Sequence, residues 1–163
     1  MRFPLAVFEA MRAVWPDDRP MGVRISATDW MSGGWGVADS IVLARELKAR
    51  GCDYMAVSSG GLSLKQKIPI GEGHQVEFSE AVKRETGMPT MAMGMIYEPE
   101  HAERIVADDA ADFVALARTM LNDPHWPWYA ATVLDADIAY PPQYLRGYRS
   151  RWHRGKRVDE VTS

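Results

Sequence analysis

The chain has little cysteine, no long apolar run and no excess of positive charge. Cys52 is its single cysteine, which excludes an internal disulfide and favours a reducing compartment such as the cytoplasm. No apolar run approaches the roughly 20 residues of a membrane helix, and residues 1–5 lack the apolar core of a signal peptide. The net charge of −3 gives no general attraction to nucleic acid or membrane. No nucleic-acid or membrane partner is therefore expected.

Several well-known motifs are absent as well. No Gly-x-Gly-x-x-Gly follows an apolar run, and the glycines of residues 33–36 and 71–73 have the wrong spacing for a dinucleotide fold. No Gly-x-Ser-x-Gly segment presents a nucleophilic serine. The histidines lack the spacing of metal ligands, so no metal site is expected. They are His74, His101, His125 and His153.

What the chain does contain is a series of short apolar runs. A composition of 47% hydrophobic and 25% charged residues over 163 residues suits one globular domain with a core. Each run is bounded by Gly, Pro or Asp, which is typical of buried parallel strands. The four predicted strands are residues 22–26, 54–58, 90–94 and 113–116.

Helical patterns separate these strands. Apolar residues recur at helical spacing from Val37 to Leu47, and Gly51 is the expected C-cap. A second pattern ends at Gly87, and Pro99 lies in the first turn of a third. A further helix over residues 4–14 precedes the first strand. The order is therefore a helix and four βα units with parallel strands, which fits either a doubly wound sheet or part of a (β/α) barrel.

The most informative stretch is residues 112–128. Its apolar run stops at Ala117-Arg118, and an Asn-Asp-Pro break and a helix start follow. Ligands of parallel α/β proteins bind at the carboxyl ends of strands, where a guanidinium offers a fork of donors to phosphate oxygens. Gly94 ends the preceding strand and allows close approach of backbone N–H groups. We expect Gly94, Ala117 and Arg118 to form a phosphate cradle, with a surface salt bridge as the alternative for Arg118.

Arg24 places a charge in the middle of an apolar strand. An unpaired buried charge is very costly, so Arg24 either forms an ion pair or stabilises negative charge on a bound cofactor. Ser58 and Gly60 follow the second strand, where small residues let backbone N–H groups approach a ligand. We expect all three residues to contact a cofactor.

Basic and aromatic residues alternate over residues 144–157. Such a pattern occurs in nucleic-acid patches, but the rest of the chain carries an excess of negative charge. A solvated terminal segment, or an arm that packs on a partner subunit, is the preferred interpretation.

One known family contains the same segments in the same order. They are Met-Arg-Phe-Pro-Leu at 1–5, Gly-Val-Arg-Ile-Ser-Ala-Thr-Asp-Trp at 22–30, Val-Ser-Ser-Gly-Gly at 57–61, Ala-Met-Gly-Met-Ile at 92–96, the 112–128 stretch and Pro-Gln-Tyr-Leu-Arg at 142–146. The chain thus resembles the C-terminal half of Old Yellow Enzyme family flavoproteins, particularly the short bacterial ene-reductases that include xenobiotic reductases. The resemblance implies an α/β fold, a partial TIM (β/α)8 barrel of about four C-terminal βα units, with residues 135–163 as a C-terminal arm.

The resemblance also implies roles for individual residues. Arg24 would contact the pyrimidine edge of FMN, the phosphate cradle would hold its phosphate, and Met93 would lie near flavin and substrate. Arg146 matches an arginine that reaches the neighbouring subunit's active site in some relatives. The implied reaction passes hydride from NADH or NADPH to FMN, and then to the β-carbon of an enone.

Two departures qualify this expectation. Ala117 stands where the family often has Gly. The Ala-Arg pair also occurs in the flavin-barrel domain of certain aryl-CoA oxygenases, so a protein of that type is an alternative to an ene-reductase. The family's N-terminal half carries the substrate-binding histidines and the tyrosine proton donor, and this sequence has no counterpart, so the catalytic residues stay unknown.

A truncated protein is therefore expected. Met1 would be an internal methionine of a longer parent, and the half-barrel would be incompetent alone. Exposed strand edges would make it self-associate or form a homo-oligomer. A non-catalytic fragment, or a half-barrel that binds a phosphate ligand for unrelated chemistry, are the remaining alternatives.

Overall fold

The computed structural model describes residues 1–147. The tail beyond Gly147, with most of the basic residues of the predicted arm, lies outside the described residues. The elements in chain order are α1 (Arg2–Arg12), β1 (Gly22–Ser26), α2 (Val37–Lys48), β2 (Tyr54–Ser58), α3 (Val76–Thr86), β3 (Thr90–Ala92), α4 (Pro99–Ala107), β4 (Phe113–Val114), α5 (Arg118–Asn122), α6 (Trp126–Val133) and a 3-10 helix (Pro142–Gly147).

The four strands form one parallel sheet in the order β1-β2-β3-β4. The predicted α/β class with four parallel strands is confirmed. Each strand lies beside its neighbour in sequence, without the reversal of strand order that defines a doubly wound sheet. Among the described residues, β1 and β4 each pair on one side only, so both are edge strands.

One face of the sheet is covered by helices and the other is open. Met55 and Val57 of β2 point to the covered face and are fully buried in a core shared with α2 and α3. A second apolar cluster joins β3 to α4 and α6. The alternation of strand side chains sends one register row to the open face. That row is Arg24, Ala56, Met91 and Phe113.

The open face corrects two predictions of burial. Arg24 is exposed, because nothing among residues 1–147 covers the middle of β1 on that side. The Phe113 side chain is 50% exposed, since it points to the open face and β4 is an edge strand. Periodicity identified both segments as strands, but burial on the second face depends on a layer that the described residues do not contain.

Element ends follow the sequence closely at some points and not at others. Gly87 caps α3 with φ +59°, and Pro99 is the first residue of α4, as predicted. The strands β3 and β4 are shorter than predicted and end at Ala92 and Val114. A short helix, α5, starts at Arg118 itself, ahead of the Asn-Asp-Pro break.

Two aspartates tie the amino ends of the strands together in matching ways. Asp53 precedes β2: its carboxylate accepts the Met21 N–H at 2.7 Å, and its own N–H donates to the Met21 carbonyl at 3.0 Å. Asp112 precedes β4 and makes the same two bonds with Thr90, at 2.8 and 2.9 Å. We call these pairs the amino-end clamps.

Each clamp is completed by a cation from a helix. The Arg12 guanidinium of the α1 end lies 3.5 Å from Asp53, and Lys83 Nζ of α3 lies 3.1 Å from Asp112. Lys83 also bonds Asp109. The clamps therefore join strand to strand and helix to sheet. No helix among residues 1–147 is long and apolar enough to span a membrane.

Candidate functional site

A cleft of about 490 Å³ opens on the uncovered face of the sheet, toward the carboxyl ends of the strands. Its walls come from β1, β2 and β3, from the loops that follow β3 and β4, and from the N-cap of α3 and the start of α5. The residues that line it are Arg24, Ala56, Ser58, Gln75, Met91, Met93, Gly94, Met95, Ile96, Ala115, Leu116, Ala117, Arg118 and Thr119. Six of the seven residues predicted to bind a cofactor are among them.

Gly60 is the exception. It has φ +70°, and its N–H already donates to the Thr28 carbonyl at 2.9 Å. It serves the turn after β2 and does not line the cleft. Arg146 lies apart as well, exposed in the 3-10 helix of residues 142–147.

Arg24 brings positive charge to one side of the cleft. Its Nη2 donates to Ser58 Oγ over a long 3.4 Å, and within residues 1–147 it has no acidic partner. The ion pair that was one explanation of this residue is thus not formed among the described residues. An exposed guanidinium keeps its charge available to an anionic or electron-rich group in the cleft.

Arg118 brings a second positive charge to the opposite side. It lines the cleft, it is exposed, and it too lacks an acidic partner among residues 1–147. Helix α5, which begins at Arg118, is held to the loop after β3 by Thr119, whose hydroxyl donates to the Ile96 carbonyl at 2.9 Å. Neighbouring strands are about 4.8 Å apart, so the outer strands that lead to the two arginines lie roughly 14 Å apart. An elongated ligand with an anionic end suits this arrangement.

The loop after β3 forms the floor between the two arginines. Gly94 has φ +113°, and its carbonyl accepts the Gly73 N–H at 2.9 Å. A Cβ at this position would lie 3.1 Å from Gln75 Cγ. The absence of a side chain at Gly94 therefore lets the loop before α3 close onto the cleft.

Gln75 is a cleft residue that the sequence did not single out. It is 9% exposed and lies at the N-cap of α3. Its amide nitrogen bonds His74 Nε2 at 3.0 Å, while its carbonyl oxygen Oε1 is buried without a partner among residues 1–147. The only sequence signal is its place, directly after a glycine-rich loop and before an amphipathic helix, which many structural residues share.

The apolar walls were also only partly foreseen. Met91, Met95, Ile96 and Leu116 join Met93 in lining the cleft. Their flexible or branched apolar side chains suit a flat, hydrophobic ligand body. Combined with cations at both sides, these walls fit a ligand that has an aromatic part and an anionic part.

Comparison with known proteins places the chain in a family. Residues 1–136 match the model of the NADH:flavin oxidoreductase / NADH oxidase family. The chain belongs to this family. An NADPH dehydrogenase of Geobacillus thermodenitrificans is 41% identical over 143 residues, which are 88% of this chain and 41% of that protein. One of Geobacillus sp. WCH70 is 40% identical over 148 residues, which are 91% and 43% of the two chains. The chain thus spans about two fifths of the length of these relatives.

Solved structures agree with this placement. Morphinone reductase is 27% identical, with a TM-score of 0.60 over 87% of this chain and 37% of that one. A 2-naphthoyl-CoA reductase, solved with 2-naphthoyl-CoA, shares the fold at a TM-score of 0.71 and 21% identity, over 83% and 21% of the two chains. The resemblance to the Old Yellow Enzyme family is confirmed. Membership implies FMN as cofactor.

Proposed function

We propose that this chain is the FMN-binding half of an NAD(P)H-dependent oxidoreductase that reduces activated C=C bonds of enones. One observation carries the proposal: Arg24, Met93 and the phosphate cradle of Gly94, Ala117 and Arg118 converge on one cleft. Bound FMN supplies the hydride transfer that amino-acid side chains do not provide. The family of the chain and a relative named morphinone reductase support a reductive reaction.

The side chains present fit an FMN molecule. Arg118 offers a fork of donors to the phosphate, and the backbone at Gly94 and Ala117 is open to close approach. Ala117 has φ −112°, a conformation open to any residue, so the glycine that relatives often have here is not required by the backbone. Arg24 would face the pyrimidine edge, where a fixed positive charge favours the electron-rich reduced flavin.

We also propose that the sheet is part of a (β/α)8 barrel, about its four C-terminal βα units. The sequential order of the parallel strands, the helices on one face and the open cleft at the strands' carboxyl ends support this arrangement. A half-barrel leaves two strand edges unpaired. Self-association, or pairing with a complementary half, would cover them. Arg146 would then be placed to reach a neighbouring subunit.

Catalysis by the chain alone is not part of the proposal. Within residues 1–147, the cleft contains no histidine or tyrosine that could hold or protonate a carbonyl substrate. The chain binds flavin in this scheme, and a partner supplies the substrate side. A reducing compartment such as the cytoplasm suits the buried free thiol of Cys52.

Titration with FMN tests the proposal directly. Purified chain should quench flavin fluorescence. Arg118→Ala should raise the dissociation constant for FMN roughly 30-fold, since it removes charged hydrogen bonds to phosphate. Arg146→Ala is the matched control, an exposed arginine outside the cleft, and should leave binding unchanged. Equal loss in both variants, or no binding by the unaltered chain, would refute the assignment. Enone-dependent NADPH oxidation should be absent.

A further inference from the structure

The loop after β2 presents apolar side chains to solvent. This loop, residues 61–70, lies between the carboxyl end of β2 and the segment that leads into α3. Leu62 and Ile70 are 70% and 71% exposed, and Leu64 is fully exposed at 106%. Scattered exposed apolar side chains need no explanation on a protein surface, but three of them in one short loop do.

A tight turn forms the tip of this loop. The Gln66 N–H donates to the Ser63 carbonyl at 3.3 Å, and the Lys65 N–H donates to Ser63 Oγ at 3.2 Å. Leu64 and Lys65 are thus the two central residues of a turn that Ser63 closes. Because the turn already fixes the backbone of both residues, binding through them costs little further ordering.

Contacts at its base hold the loop against the rest of the protein. Gln66 Oε1 accepts the Gly61 N–H at 3.0 Å, and Gln66 Nε2 donates to the Asp29 carbonyl at 2.8 Å. Ile68 packs on Gly60, where a Cβ would lie only 2.7 Å from Ile68 Cδ1. Gln66 and Ile68 therefore serve the fold, while the leucines at the tip contribute nothing to the core.

The charge of this loop is positive, unlike that of the whole chain. Lys65 and Lys67 are the only charged residues between Asp53 and Glu72, and both are exposed. The net charge of −3 predicts no membrane partner, but it averages over this local excess of positive charge. Residues 61–70 contain no aromatic residue on which a nucleic-acid base could stack. Aliphatic side chains beside lysines suit an anionic lipid surface instead.

We propose that the loop of residues 61–70 docks on an anionic lipid membrane, with Leu64 among the acyl chains and Lys65 and Lys67 at the headgroups. The loop follows β2, which pairs with both β1 and β3, so it does not belong to the sheet edges at which another chain would add strands. It lies at the carboxyl ends of the strands, the same end as the cleft. Docking therefore brings the cleft close to lipid, where hydrophobic small molecules concentrate.

Sedimentation with vesicles tests this proposal. The full chain should bind vesicles of phosphatidylglycerol and phosphatidylcholine in equal parts, and pure phosphatidylcholine about tenfold less tightly, because the lysines then lose their counter-charge. Leu64→Asp should weaken binding to the mixed vesicles about tenfold or more. Val14→Asp is the matched control, since Val14 is 83% exposed just beyond the end of α1, and it should bind like the unaltered chain. Leu64→Trp should bind more tightly, because tryptophan favours the lipid interface.

Three results would overturn the proposal. The first is no binding of the mixed vesicles by the unaltered chain, and the second is an equal loss in Leu64→Asp and Val14→Asp, which marks unspecific adsorption. The third is a change of oligomeric state in Leu64→Asp with vesicle binding intact, which assigns the loop to a protein partner. Thermal midpoints should match in all variants, because both positions are exposed. The tighter binding of Leu64→Trp is a gain that misfolding cannot imitate.

Discussion

The two ends of the sheet are built in opposite ways. At the amino ends, Asp53 and Asp112 each satisfy a backbone N–H, donate a bond in return and face a cation from a helix. At the carboxyl ends, Arg24 and Arg118 lack acidic partners among residues 1–147, and Gln75 Oε1 lacks a donor. The backbone groups and carboxylates of the amino-end clamps are paired within the chain, and the Thr90 hydroxyl is the exception, buried without a partner among the described residues. The polar groups named at the carboxyl ends are left open.

This difference separates stability from binding. Bonds made within the chain favour the folded state, whereas a buried group without a partner costs folding free energy. An exposed charge without a partner stays hydrated and is available to a ligand. In parallel α/β folds the carboxyl ends of the strands carry the sites. Changes at the amino ends should therefore alter unfolding, and changes at the cleft should alter ligand binding.

The largest expected effect is at an amino-end clamp. Asp112→Ala leaves the N–H of the fully buried Thr90 without its acceptor and takes one carboxylate from Lys83. Unfolding free energy should fall by about 3 kcal/mol, measured by urea denaturation. Asp112→Asn keeps an acceptor and should lose about 1 kcal/mol. A loss in the alanine variant smaller than the loss in the asparagine variant would contradict the role given to the clamp.

Gly94 should give the next largest effect, because it belongs to both kinds of region. Its φ of +113° is strained for any side chain, and a new Cβ would meet Gln75 at 3.1 Å. Gly94→Ala should cost roughly 2 kcal/mol of stability and also weaken flavin binding. Gly61→Ala, at φ +89° with open space around it, should cost stability alone. Equal effects of the two variants on flavin binding would contradict the separate role of Gly94 in the cleft.

The clamp at Lys83 predicts a pH dependence. The hydrogen bond to Asp109, with a further one to Asp112, raises the pKa of Lys83 above its usual 10.5. The stabilisation is therefore complete below the pKa of the unfolded chain and is lost as pH rises through the higher folded value. The urea midpoint of the unaltered chain should fall as the pH is raised from 8 to 11, and the midpoint of Lys83→Met should fall less steeply.

A Cys52→Ala background keeps that measurement specific. Burial raises the pKa of the Cys52 thiol, so ionisation of the unfolded thiol also destabilises the fold at alkaline pH. With this thiol removed, parallel slopes in the Lys83 variant and its parent would show that the ion pairs add nothing.

The smallest expected effect is at Ser58. Its contact with Arg24 is a long 3.4 Å, so Ser58→Ala should change unfolding free energy by less than about 0.5 kcal/mol. A larger loss would mean that polar groups of the cleft stabilise the fold, against the contrast drawn between the two ends.

Local patterns were enough to predict many elements. The bounds of β1 and β2 are confirmed, as are the C-cap at Gly87 and the helix start at Pro99. These features depend on near neighbours in the chain, namely alternation, a left-handed cap and a fixed φ. The lengths of β3 and β4 were overestimated, because strand ends depend on the pairing partner as well as on apolar character.

Within the site, the charged and the small residues could be predicted from the sequence, whereas the role of the Gln75 amide could not. As expected from their places after or within strands, the residues that line the cleft include Arg24, Ser58, Met93 and the three residues of the predicted phosphate cradle. Gln75 was missed, because its significance arises from the His74 bond and from the space above Gly94, both of which depend on how loops meet.

The sequence by itself determined the class of fold, the parallel direction of the strands and the family to which the chain belongs, since these follow from periodicity and from segments that recur in relatives. Tertiary structure alone decided which polar groups are paired. Asp53 and Asp112 are satisfied because the amino ends of adjacent strands meet there, while Gln75 Oε1 is left open because a histidine holds the other end of its amide. Pairing is a matter of distance in space, which no local pattern encodes.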